Sequence, residues 1–305
     1  MIHFALKRLG VAVLVALTVS ILSFSMVYLS GDPALALAGE GASEQDIENV
    51  RRVYGFERPI VVQYGDWLVR ALQGNLGHSN YLKADVASVV FERLPTTMLL
   101  GACALAFALI LSIPLGVVAA IRPNSMIDRF ALTVAMIGQA MPSFWFALTL
   151  MLWFGLNWRL LPISGTASWQ HFVMPSIALG YYVTPAVMRL TRAGMLEVLS
   201  SDYIRTARAK GLRPMTVLFK HALRNAIIPV VSLSAVQFGF MLGGSIVIET
   251  IFAINGLGFL VWESILRADV PMMQAIVLVL SIIYILLTFL ADLLNGFLDP
   301  RIRVS

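Results

Sequence analysis

The feature that most restricts this chain is a series of six apolar stretches, running approximately over residues 9–30, 96–121, 130–156, 173–191, 228–250 and 273–296. Each is near the roughly 20 residues that a helix needs to cross a hydrocarbon core. In that medium only a helix or a closed barrel satisfies its own backbone polar groups, and apolar runs of this length are helical rather than strand-like. The expected fold is therefore an all-α membrane protein with about six transmembrane helices. Composition agrees, because 59% of residues are hydrophobic, 13% are charged and the mean hydropathy is +0.83. That balance is far from a water-soluble domain.

The first stretch has a second possible identity. Lys7 and Arg8 make a basic front and Ala36-Leu37-Ala38 has the small-residue pattern of a signal cleavage site. Its apolar run is longer than the roughly 7–15 residues of a signal core, which favours a retained anchoring helix.

Orientation follows from lysine and arginine, which are retained in short cytoplasmic loops. With the N-terminus inside, the inner segments hold Lys7, Arg8, Arg122, Arg129, Arg189, Arg192, Arg205, Arg208, Lys210, Arg213, Lys220, Arg224, Arg301 and Arg303. The two short outer loops hold only Arg159 and Arg267. Segment 31–95 carries more basic residues, but its length exempts it from the rule. The expected topology is N-in and C-in, and the net charge of +5 is then an orientation signal that needs no nucleic-acid partner. Cys103 stands alone, and His3, His78, His171 and His221 are dispersed with no HExxH pair, so no disulfide or metal site is readable.

Two stretches outside the spans carry organisation. Segment 31–95 opens with Gly31-Asp32-Pro33, closes with Leu94-Pro95 and is too polar to span. Ser43, with Asp46 three residues on, predicts a capped helix to about Tyr54, and Ile60 to Leu72 is periodic around Tyr64, Trp67 and Leu68. Both are expected to lie at the membrane interface, with the aromatic residues as anchors. The second stretch, Arg189 to Arg224, is the longest inner loop. Ser200 or Ser201 is a candidate cap, Asp202 favours a helix start, and the run from Tyr203 to Lys210 is helix-forming and stops at Gly211. A second helical run from Met215 to Asn225 leads to Pro229 and the fifth span.

This short helix, glycine and second helix resemble the cytoplasmic EAA loop of ABC importer permeases. Gly211 and Ala207 match that pattern, while Arg205 and Thr206 stand where the general consensus has glutamate and alanine, and Pro229 falls late. Those departures are usual in the dipeptide, oligopeptide, nickel and glutathione branch, which the wording DYIRTARAKGL followed by HALRNAIIP resembles closely. Further pieces similar to that branch are Gly31-Asp32-Pro33, Tyr54-Gly55-Phe56 with Pro59 and Gln63-Tyr64, and Gly74-Asn75-Leu76-Gly77 with Ser79. Leu94-Pro95-Thr96-Thr97, Met141-Pro142-Ser143-Phe144-Trp145, Glu249-Thr250-Ile251-Phe252 with Gly256-Leu257-Gly258, and the tail from Leu298 to Arg303 extend the resemblance over essentially the whole chain.

The resemblance implies a type I importer permease fold with a division at 1–30, 31–95, 96–296 and 297–305, the coupling loop being 192–227. It implies a second homologous permease, two cytoplasmic ATPase subunits that bind ATP and Mg, and an extracytoplasmic binding protein, in a bacterial inner membrane. It assigns ATPase coupling to Asp202, Tyr203, Arg205, Ala207, Arg208 and Gly211, where small residues permit close docking and basic ones can pair with acidic groups. The chain shows no P-loop, since Lys7, Lys83, Lys210 and Lys220 follow Leu6, Leu82, Ala209 and Phe219 rather than glycine. ATP hydrolysis is therefore expected on partners, with no cofactor here.

Within the spans, Pro114, Pro142 and Pro185 are expected to bend three helices. Gly239 and Gly243 form a GxxxG spacing suited to intrachain packing or to a second permease. Gln139 and Gln237 are candidate pathway residues or interhelical hydrogen-bonders, and Glu249 and Asp292 should face protein or water rather than lipid. An independent secondary transporter or channel would need ionisable groups in mid-span, where few occur. An intramembrane enzyme built on Ser245 would lack a histidine in any span to activate it.

Overall fold

The computed structural model describes residues 2–29, 32, 34–35, 41–79 and 81–298. The described helices are α1 (Ile2–Leu29), α2 (Glu44–Tyr54), α3 (Ile60–Leu72), α4 (Val86–Ile121), α5 (Met126–Ala140), α6 (Ser143–Leu150), α7 (Val173–Gly180), α8 (Thr184–Leu199), α9 (Asp202–Ala209), α10 (Ile228–Ile251), α11 (Leu257–Leu266) and α12 (Val270–Leu298). Among the described residues, extended pairing is confined to an isolated bridge between His78 and Asp85. Gly31, Pro33, Ala36-Leu37-Ala38 and the tail from Asp299 lie outside the described residues.

Among the described residues, four helices are long and apolar enough to cross a membrane, namely α1, α4, α10 and α12. The other two expected spans are interrupted. The 130–156 stretch is realised as α5, a break at Met141-Pro142, then α6 running into π-helical turns over Met151–Asn157. The 173–191 stretch becomes α7 and α8, parted by turns at Tyr181 to Val183. Pro185 therefore opens α8 within its first turn, where its missing N–H costs nothing, instead of bending a continuous span.

The second span also begins earlier than expected. Polarity and Pro95 suggested a start at residue 96, yet α4 runs from Val86 straight through Pro95 and Pro114. Asp85 caps its first turn by accepting the Ser88 N–H at 2.9 Å, and Val86 and Val90 are fully buried against Leu257, Leu260 and Met272. That cap and packing outweigh the hydrogen bond lost at each proline.

Close contacts fix how the helices run. Arg8 pairs with Asp292 at 3.1 Å and the Ser23 hydroxyl donates to the Gln274 carbonyl at 2.9 Å, so α1 and α12 are antiparallel. Gly239 abuts the Tyr284 ring and Ser232 bonds Asn295, which makes α10 antiparallel to α12. Gly101 faces Phe238 and Leu242 while Thr97 reaches Glu249, so α4 is antiparallel to α10. Gly180 packs on the Ala104 carbonyl and Gly116 on Met188 and Thr191, aligning α7 and α8 with α4. The bundle thus has one end carrying α9 with the free ends of α1 and α12, and an opposite end carrying α2, α3 and α11.

At that second end, the capping box of Ser43 and Asp46 starts α2 as expected. The Ala34 N–H and the Arg51 guanidinium hold the Asp32 carboxyl below its ordinary range, fastening the described part of the Gly31-Asp32-Pro33 motif to α2. The aromatic residues of α3 turn toward protein. Tyr64 and Trp67 pack on Phe24 of α1, and the Tyr64 hydroxyl bonds Ser20 at 2.7 Å. Outward-facing α1 residues such as Leu6, Leu14 and Leu22 are exposed and apolar, as a lipid-facing helix requires.

Candidate functional site

The segment between α8 and α10 folds back on the end of the bundle as a helical hairpin. Ser201 sits at the N-cap of α9 with an extended backbone, but its hydroxyl donates to the Val198 carbonyl at 2.6 Å instead of capping. The helix start therefore rests on Asp202, the acid in its first turn. At the other end Gly211, at φ +72°, donates its N–H to Arg208 at 3.0 Å while Leu212 donates to Ala207 at 3.4 Å. This paired arrangement is a Schellman stop, which needs a left-handed residue that glycine adopts without strain.

Two faces of α9 differ sharply. Ile204 is fully buried and Ala207 nearly so, packed with Val117 and Ala120 of α4, Met195 of α8, and Val217, Ala222 and Ala226. Ala207, expected as part of the outward docking surface, is thus turned into the subunit; its small side chain serves packing at i+3 from Ile204. Asp202, Tyr203, Arg205 and Arg208 remain outward and exposed. The Asp202–Arg205 ion pair at 3.4 Å is fully solvated and adds little stability.

After Gly211 the expected second helix is π-helical over Thr216–Leu223, closing with a turn at Arg224–Ala226. The wider π turn is rare in helices, and where it occurs it frequently marks a functional site. The Asn225 amide donates to the Tyr203 hydroxyl at 2.8 Å, tying the two arms together. Tyr203, Lys220, His221 and Arg224 line a cleft of about 600 Å³ together with Ile227, Ile228 and Val231.

The hairpin also meets α8 closely, and α8 is in turn fastened to α5. Any side chain on Gly194 of α8 would strike the Ala226 carbonyl. Higher on α8, Arg192 makes a forked pair with Asp128 of α5, with Nε to Oδ1 at 2.7 Å and Nη2 to Oδ2 at 2.6 Å. Asp128 is 2% exposed and also accepts the Asn124 N–H at 2.8 Å. Neither Ile204 nor this pair was singled out from sequence. The apolar i, i+3 spacing of Ile204 and Ala207 inside a basic helix was the available signal for the first.

The remaining expected residues lie apart from the hairpin. Gln139 is exposed near the end of α5 and accepts a long bond of 3.4 Å from Arg189. Gln237 is half-buried on α10. Asp292 is paired with Arg8, and Glu249 is fully buried among hydroxyl and backbone donors. Ser245 directs its hydroxyl to the Leu242 carbonyl and to Glu249.

Comparison with known proteins agrees with this architecture. Residues 112–304 match the family described as binding-protein-dependent transport system inner membrane component, and residues 1–101 match its N-terminal companion. The chain is 40% identical over 304 residues to the glutathione transport system permease protein GsiC of Pectobacterium atrosepticum, covering 99% of both chains. It is 39% identical, with the same coverage, to GsiC of Escherichia coli strain K12. In fold it is similar to inward-facing structures of the MetNI methionine ABC transporter, one at a TM-score of 0.59 and 17% identity, covering 69% of this chain and 96% of that one. A second crystal form gives 0.57 and 18% over the same shares. With both family matches and full-length relatives in place, the chain belongs to the binding-protein-dependent transport system inner membrane components, the permease subunits of ABC importers.

Proposed function

We propose that this chain is one of two homologous permease subunits that together enclose the pathway of an ATP-driven importer for di- or oligopeptides or a related small solute such as glutathione. The observation that carries the reading is the two-faced α9, an eight-residue helix seated by Ile204 and Ala207 and stopped by Gly211. A helix this short is not stable alone in water, so its form depends on the seat beneath it. Displacement of a partner docked on its outer face then moves α4 and α8 directly.

Asp202, Tyr203, Arg205 and Arg208 form that outer face, with Ala207 and Gly211 setting its position and its end. The face docks into a cleft of a cytoplasmic ATPase subunit, where the arginines meet acidic groups. Two such subunits bind ATP and Mg and carry out hydrolysis; the permease holds no cofactor and performs no chemistry. An extracytoplasmic binding protein delivers the solute at the opposite end of the bundle. Family membership supports both kinds of partner, and the names of the glutathione relatives support a peptide-like cargo.

The six-span, N-in and C-in arrangement completes this reading. Met126 to Asn157 and Val173 to Leu199 each supply enough residues to cross the membrane despite their interruptions, and the α9 end carries the basic excess. The described residues between α1 and α4 lie outside the membrane core, and α4, from Val86, begins the permease core that contains coupling loop 192–227. Gln139 and Gln237 face the pathway.

The test is reconstitution with the neighbouring permease, ATPase and binding-protein genes in proteoliposomes. Labelled glutathione and short peptides should accumulate only with ATP, and replacing Arg205 and Arg208 together with glutamate should release the ATPase subunits on purification. Uptake without ATP, or an ATPase that stays bound to the doubly reversed chain, would reject the assignment.

A further inference from the structure

At the end of the bundle opposite α9, Glu249 near the C-terminus of α10 is fully buried, and none of the described basic side chains pairs with it. A carboxylate in such a place is costly unless polar groups surround it. Here Thr97 of α4 donates its hydroxyl to Oε1 at 2.8 Å, Ser245 lies 2.9 Å from the same oxygen, and the Phe259 N–H donates to Oε2 at 3.0 Å. Thr97 in turn accepts the Leu257 N–H at 2.8 Å. Two N–H groups of the first turn of α11 therefore end on this pair, and the carboxylate sits at the positive end of that helix.

Gly256 and Gly258 make the approach possible. A Cβ on Gly256 would overlap both the Glu249 carboxylate and the Thr97 hydroxyl, and one on Gly258 would strike the Ile246 backbone. Farther along α4, Arg93 reaches Asn255 at 3.3 Å and Glu263 at 3.9 Å. The chain on either side of α11 passes through Ala253 at φ +47° and Ala268 at φ +52°, a left-handed conformation that alanine adopts only under constraint. Packing against α4, α10 and α12, more than its connecting segments, holds α11 where it is, and the Thr97–Glu249 bond is its polar tie to α4.

The same α4 ends at the other side of the bundle with Val117 and Ala120 in the seat of α9. It is one helix from Val86 to Ile121, so α9 and α11 are joined by a single through-membrane element. Accepting the permease assignment above, we infer that Glu249 is a positioning residue of the transport cycle, fastening α11 to α4 through Thr97 so that displacement of α9 moves α11 at the far end. Without the fastening, α4 still follows α9, but only the apolar packing of Val86 and Val90 on Leu257 and Leu260 is left to carry its motion to α11.

The experiment uses the full reconstituted transporter on a Cys103→Ala background, spin-labelled at Leu266→Cys on α11 or at Met215→Cys beside α9, both positions being exposed at 65% and 68%. Spectra are compared without nucleotide and after ATP and vanadate trapping. In the parent both labels should respond. In Thr97→Val and Glu249→Gln the Met215 response should persist while the Leu266 response falls by about fivefold or more, and Thr97→Ser should restore it by returning the hydroxyl. Persistence of the Leu266 response in both variants overturns the inference. Loss of both responses together, or a parent whose Leu266 label never responds while Met215 does, also overturns it, because the residues would then serve only the fold. A parent in which neither label responds to ATP refutes the permease assignment itself.

Discussion

Ile204→Ala isolates the seat of the coupling helix from its outer face. The side chain is fully buried among Val117, Met195, Val217 and Ala222, and alanine removes three of its carbons without touching Arg205 or Arg208. At about 0.8 kcal/mol per buried methylene, the transfer loss is about 2.4 kcal/mol. A residual cavity raises it toward about 4 kcal/mol, within the range for such truncations. Val117 and Met195 lie on the long α4 and α8, which other contacts hold, while Val217 and Ala222 lie on the π-helical arm, so the loss falls on the hairpin and first on the eight-residue α9. Each 1.4 kcal/mol is a factor of ten, so local opening should rise by roughly 60-fold to several hundred-fold. Amide hydrogen exchange on the purified subunit reads this directly: residues 203–209 should exchange faster by that factor while α4 and α10 keep their protection. ATP-dependent uptake should fall in step. Unchanged exchange over 203–209 would refute the claim that Ile204 holds the helix, whatever happened to transport.

Three further perturbations separate causes that a transport assay alone would merge. Gly211 has open space around it but a left-handed backbone, so Gly211→Asn should retain most uptake and Gly211→Val should lose it at a cost of about 1–2 kcal/mol; equal uptake by both removes the backbone argument. Arg192→Ala strands the buried Asp128 carboxylate and should lower stability by about 3–5 kcal/mol, seen as a drop in Tm in detergent; the Asp128→Ala/Arg192→Ala double variant should be milder, and a double variant that melts lower than the single contradicts the buried-charge explanation. Gly239→Ala pushes on the Tyr284 ring and should lower the Tm of the isolated subunit, whereas Gly243→Ala meets open space and should change only the assembled transporter; a Tm loss for Gly243→Ala in the isolated chain would place a contact there that the structure lacks.

Hydropathy placed the apolar stretches but could not tell which of them run as one unbroken helix. The 130–156 stretch is apolar throughout, and an average over a window cannot register that Pro142 starts a new helix or that the chain widens to π turns at Met151. The opposite error arose at α4, where Glu92, Arg93 and Pro95 made residues 86–95 look like loop. Their partners are distant in sequence: Val86 and Val90 meet Leu257 and Met272, and Arg93 meets Glu263. Local polarity therefore set the predicted boundary, while tertiary packing sets the real one. On the coupling segment the ends of α9 were legible because Asp202 and Gly211 act through backbone rules that need no partner. Its inward face was not. Alanine suits a docking surface and a packed seat equally well, and only the buried Ile204 at three residues' distance shows which role Ala207 has.

Around Glu249 the sequence offered three separate fragments, Leu94-Pro95-Thr96-Thr97, Glu249-Thr250-Ile251-Phe252 and Gly256-Leu257-Gly258, each similar to family wording and none with a stated purpose. Thr97 and Glu249 are 152 positions apart, so no periodicity or spacing rule connects them. The fold brings all three fragments to one carboxylate: the threonine donates to it, the first turn of α11 points its N–H groups at the pair, and the glycines leave the room both need. Placing an acid on an apolar helix raised only the expectation that it avoids lipid. What that acid does follows from Thr97 and Phe259 among its donors, which belong to the two helices that must stay together if α4 is to carry motion from one end of the subunit to the other.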